Sequence, residues 1–129
     1  MSHAIETGIA KAGIAAATHH LFLCLGPDCC DPCAGEALWE HVKASVKRSR
    51  VPVMRTKAGC FRICAGGPWL VVYPDGIWYG GVTPERFDRI LRDHVQGGVP
   101  IAEWMTIRHE LCGGGGKGKI HETAKRPTP

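Results

Sequence analysis

The chain has 129 residues, 44% of them hydrophobic and 22% charged, with a formal net charge of +4. A chain this long buries one apolar core unaided, so its seven cysteines are not needed as staples. No run approaches the roughly 20 apolar residues that span a bilayer. The basic stretch 43–62, with seven Lys or Arg and no acid, holds only Phe61 for stacking, which argues against a nucleic-acid surface.

Residues 1–18 read as a flexible N-terminal extension or a marginal helix. The Ala-rich segment carries Lys11 in its middle and no basic leader, so a secretory signal is not expected. A cytoplasmic home follows, where clustered thiols serve metal or redox chemistry. HLFLC (20–24) is a buried strand. Asp31-Pro32 supplies an N-cap and a first-turn proline. Leu38, Val42 and Val46 then repeat at helical spacing to about Arg48, with Lys43, Lys47 and Arg48 suiting the C-terminal end of the dipole. VPVMRT (51–56) is a second strand, at an edge because of Pro52.

WLVVY (69–73), the turn Pro74-Asp75-Gly76 and IWYGG (77–81) form an antiparallel hairpin. Thr83-Pro84 opens another helix with Phe87, Ile90, Leu91 and Val95 on one face, ended by Gly97-Gly98. Glu85–Arg89 and Asp88–Arg92 are expected as i,i+4 pairs on its surface. IAEWMTI packs back on the core, and 113–129 is a flexible basic Gly-rich tail. That tail carries +3, so the body is near +1. The order is βαβ followed by ββα, a single small α/β domain.

The cysteines fall in two clusters at element ends. CLGPDCCDPCAG (24–35) contains Cys24, Cys29, Cys30 and Cys33, and GCFRICAGGP (59–68) contains Cys60 and Cys64. Thiolates from two such loops suit a zinc ion or an iron–sulfur cluster. Gly26-Pro27 and Ala65-Gly66-Gly67-Pro68 favour the cluster, because glycine flanks let backbone N–H groups approach sulfur. A third reading is a thiol–disulfide oxidoreductase using Cys30-Asp31-Pro32-Cys33 at the start of a helix, though it leaves Cys24, Cys60 and Cys64 without a task. Cys112 reads as a lone surface thiol. His19, His20 and His94 read as surface or helix-end residues, and Trp69, Trp78 and Trp104 as filling the core or a dimer face. No catalytic constellation or phosphate loop is visible, so an enzyme is not expected.

Four segments carry a family resemblance: HLFLC through GEALWEHVK, RTKAGCFRICAGGP, VVYPDGIWYGGVTPE and HVQGGVPIAEW, together about residues 20–105. They resemble the thioredoxin-like [2Fe–2S] ferredoxins, and more distantly the [2Fe–2S] subunit of bacterial NADH dehydrogenase and related hydrogenases. The run YPDG-WYG-VTPE ending in H-x-x-GG-x-P is similar to the soluble ferredoxins. The resemblance implies a thioredoxin-like domain over 19–112, a [2Fe–2S] cluster per monomer, one-electron transfer between partners, and a homodimer. Cys24, Cys60 and Cys64 match ligands directly. The second ligand is Cys29 by the C-x4-C spacing or Cys30 by distance to Leu38-Trp39, and Cys33 is a non-ligand. Arg55, Lys57 and Arg62 flank the second pair and are expected to favour reduction, and the basic stretch suggests a redox partner with an acidic surface.

Overall fold

The computed structural model describes residues 2–111, so Cys112 and the expected tail 113–129 lie outside the described residues. Helix α1, His3–Ala12, is capped by the Ser2 hydroxyl, which accepts from the Ile5 N–H, and closes on left-handed Gly13; it buries none of its residues. The strands are β1 (His19–Cys24), β2 (Val53–Ala58), β3 (Trp69–Tyr73), β4 (Ile77–Tyr79) and β5 (Met105–Arg108), in one sheet of order β2-β1-β3-β4-β5. β1 runs parallel to β2 and antiparallel to β3, and β4 and β5 continue antiparallel.

Helix α2, Pro32–Ser49, starts where the sequence places its cap: the Asp31 carboxylate accepts from the Ala34 N–H at 3.0 Å. Lys47 and Arg48 lie in its last turn, whereas Lys43 sits earlier, paired with Glu40 at 2.9 Å. Helix α3, Pro84–Arg89, widens into π-helical turns over Ile90–Gln96. Leu38, Val42 and Val46 of α2, with Phe87, Ile90, Leu91 and Val95, pack on Leu21, Leu23, Leu70, Val72, Ile77 and Tyr79 of the sheet. Fully burying each such side chain contributes about 1.5–3 kcal/mol. The opposite sheet face carries Phe22, Val71, Tyr73 and Trp78, of which Phe22, Tyr73 and Trp78 stay partly exposed.

Three expectations need correction. The order βαβ–ββα holds but is extended: IAEWMTI becomes a 3₁₀ turn at Ala102–Trp104 and a fifth strand that pairs with β4. The surface ion pairs differ, because the helix widens just after Arg89 and α2 offers partners across the gap. Arg89 reaches Asp93 at 3.1 Å and Glu103 at 3.5 Å, Arg92 reaches Asp93 at 2.8 Å, and Asp88 accepts from His41 at 2.7 Å and Ser45 at 3.1 Å. His94 is not a surface residue but fully buried. Its Nδ1 lies 2.8 Å from the Tyr79 hydroxyl and its Nε2 2.6 Å from Asp75, while the Ile101 N–H donates to the same hydroxyl at 3.1 Å.

Candidate metal centre

Cys24 closes β1 opposite Trp69 and is buried. The chain then reverses at Gly26, whose φ of 102° is open to glycine and where a Cβ would stand 2.6 Å from the Cys30 carbonyl. The reversal brings Cys29 back over the strand end. Its sulfur lies 3.2 Å from that of Cys24 and 3.4 Å from the Cys24 carbonyl oxygen. Cys30 is half-buried, its sulfur 3.8 Å from that of Cys29 and without a hydrogen bond to Cys24 among the described residues. Cys33 is exposed in the first turn of α2.

The second loop folds onto the first. The Gly67 N–H donates to the Cys29 carbonyl at 2.8 Å, and a Cβ at Gly67 would stand 2.8 Å from the Cys29 sulfur. Cys60 and Cys64 are exposed. The Arg62 N–H donates to the Cys60 sulfur at 3.1 Å, and Arg62 and Cys64 both hold left-handed backbone, φ 71° and 61°. Trp69 anchors this loop by donating from its indole to the Ala65 carbonyl at 2.7 Å, and Phe61 meets Trp78 edge-on at 5.3 Å between ring centres. Trp69 and Cys29 thus form a small apolar cluster with Cys24, against which Phe61, Cys30 and Trp78 pack.

The electrostatics are those of crowded thiols. Burial, then the neighbouring Cys24 and Cys30 thiols, pushes Cys29 up to about 12. Cys30 is raised, chiefly by burial. Cys64 is raised by desolvation, then by Cys60, Asp28 and Cys24, which places the second pair within electrostatic reach of the first loop. A thiolate in such company needs a compensating cation, and metal binding supplies one as the protons leave.

Among the described residues no three His, Cys, Asp or Glu side chains gather around one point. The sulfurs come instead as pairs, Cys24 with Cys29 and Cys60 with Cys64. Cys24, Cys29, Cys60 and Cys64, two thiols from each loop, form a donor set that would hold a [2Fe–2S] group. His19 and His20 sit at the far end of β1, about 16 and 13 Å from Cys24 at ~3.3 Å per residue. For the oxidoreductase alternative, no hydrogen bond joins Cys30 to Cys33 among the described residues, and the raised Cys30 thiol opposes the lowered one that attack requires. The contacts of Gly67 and Trp69 with this loop pair went unread in the sequence, although the Ala65–Pro68 flank marked the place.

No protein-family model matches the chain. It is similar to a "Ferredoxin, 2Fe-2S" of Aquifex aeolicus (strain VF5), 52% identical over 46 residues, which are 36% of this chain and 41% of the relative. It is similar to another of that description from Clostridium pasteurianum, 48% identical over 49 residues, 38% of this chain and 48% of the relative. The matches thus span less than half the length of these curated relatives. Among solved structures, a thioredoxin-like [2Fe–2S] ferredoxin from Aquifex aeolicus superposes with TM-score 0.64 and 28% identity, covering 76% of this chain and 98% of that one. The fold is that of the thioredoxin-like ferredoxins, and the resemblance seen in the sequence is to the same proteins.

Proposed function

We propose that this chain is a thioredoxin-like [2Fe–2S] ferredoxin, a one-electron carrier whose cluster is held by Cys24, Cys29, Cys60 and Cys64. The observation that carries the reading is the 3.2 Å approach of the Cys24 and Cys29 sulfurs under a second cysteine loop that bonds back to Cys29 through Gly67. The same approach supports Cys29 over Cys30 as the second ligand. When bound, the group accepts and releases a single electron at nearly fixed geometry. The protein supplies the rest. Gly67 leaves room beside the Cys29 sulfur, Trp69 and Phe61 pack around Cys24 and Cys29, and the Arg62 N–H bonds to the Cys60 sulfur, a contact that stabilises added negative charge.

With no catalytic group assigned, the chain acts by docking rather than by turnover. Its partner is a redox protein with an acidic surface, attracted by the basic stretch 43–62. Electron-transfer rates to that partner fall as salt rises; a salt-indifferent rate would remove this feature. A homodimer through the helix-free sheet face, with Phe22, Tyr73 and Trp78 at its centre, accounts for their partial exposure. No helix among the described residues is long and apolar enough to cross a membrane, and we place the protein in the cytoplasm. An absorption spectrum tests the core of the proposal. Visible bands bleached by dithionite support it, whereas a colourless protein that reduces insulin disulfides supports the Cys30–Cys33 oxidoreductase instead.

A further inference from the structure

We propose that the outer edge of β2 is a docking edge for an extended, acidic segment of the redox partner, seated as an added strand; this deepens the carrier reading and rests on it. β2 ends the sheet order, and among the described residues no strand pairs with its outer side. Pro52 lies just outside the strand, and although the Val53 N–H is taken by the Val51 carbonyl at 2.9 Å, no proline interrupts the outward-facing backbone groups from Met54 to Ala58. Arg55 and Lys57 stand opposite Leu21 and Leu23 in register and therefore on the helix side. There they flank Trp39, each with its charge 5.8 Å from the ring centre. Between β2 and α2 runs an open groove of about 510 Å³, lined by Glu40, Lys43, Ala44, Val46, Lys47 and Arg55.

Charge decides what fits. Lys43 is matched by Glu40 and Lys57 by Glu36, at 2.9 and 3.5 Å. Lys47 and Arg55 have no carboxylate partner among the described residues, so the groove carries surplus positive charge. A strand added here sends every second side chain to the helix side, toward that surplus. Carboxylates at alternate positions complement it, while backbone hydrogen bonds supply affinity. Because β2 runs through Gly59 into Cys60, a segment seated on it brings its owner to the second cysteine loop.

The probe is an end-blocked hexapeptide alternating valine and glutamate, added to the full, cluster-loaded chain, with the valine–lysine peptide as control. Hydrogen–deuterium exchange should slow over residues 53–58 with the acidic peptide alone. Lys47→Glu and Arg55→Glu should each weaken binding by up to about fivefold, the upper range for an exposed ion pair. Cluster absorbance verifies that the variants fold. Absent protection, protection elsewhere, or equal response to both peptides would overturn the proposal, leaving Arg55 and Lys57 as guards against edge-to-edge pairing. Iron content separates the two levels: a chain that holds its irons and ignores the peptide loses only the docking edge, whereas a chain without iron contradicts the carrier reading itself.

Discussion

Gly67→Ala is the sharpest perturbation the site offers. The new methyl would stand 2.8 Å from the Cys29 sulfur, 2.9 Å from its Cβ and 3.1 Å from its carbonyl oxygen. Comfortable contact needs about 3.5–4.0 Å, so one loop must retreat by about 1 Å. Sites of this kind tolerate roughly 0.5 Å. Overpacking of this sort costs about 1–3 kcal/mol. Cluster retention should fall on the order of ten- to a hundredfold, the range for losing the support of a ligand. Gly59→Ala is the control, since nothing lies within 4 Å of its Cβ position. The assay is anaerobic reconstitution followed by iron analysis and visible circular dichroism, with a thermal melt of each iron-free variant. Equal retention and identical spectra in the two variants would refute the packing of Gly67 against a ligand sulfur.

Other outcomes follow from the same coordinates. Arg62→Glu should lower the midpoint potential by on the order of tens of millivolts, because added negative charge opposes reduction; for one electron 59 mV is a tenfold change in equilibrium. An unchanged potentiometric midpoint removes Arg62. Tyr79→Phe leaves the Ile101 N–H and His94 Nδ1 without their partner, and should cost about 1–3 kcal/mol in denaturant unfolding. Its visible spectrum should not change, since the side-chain hydrogen bonds joining Tyr79, His94 and Asp75 reach neither cysteine loop. The iron-free protein should lose stability from about pH 9 toward pH 12. Folding raises the Cys29 thiol from 9.0 to about 12, so this contribution is complete below pH 9 and fades as pH climbs through the folded value. Cys29→Ser should flatten that limb of an unfolding-versus-pH profile; an unchanged limb contradicts the assignment.

Much of the fold was legible because local chemistry and tertiary packing agree. Asp31-Pro32 caps α2 as read, the Leu38–Val42–Val46 stripe meets the sheet, and Pro74-Asp75-Gly76 turns the hairpin. β5 was not legible: its four residues, MTIR, alternate but are too few to mark a strand, and their pairing depends on a three-residue β4 distant in sequence. The burial of His94 depends on Tyr79 and Asp75, which helix periodicity cannot see. The site divides in the same way. Spacing located both cysteine loops, but Cys29 and Cys30 are neighbours, and only the reversal at Gly26 brings the Cys29 sulfur to 3.2 Å from Cys24, with Cys30 beside it at 3.8 Å from Cys29.

The central claim is most directly tested by counting iron and acid-labile sulfide in anaerobically purified protein, beside Cys29→Ser and Cys30→Ser. The account predicts about two irons and two sulfides per chain, lost or sharply reduced in Cys29→Ser and kept in Cys30→Ser. Stoichiometric zinc without sulfide, or a chain that binds no metal at all, would contradict it.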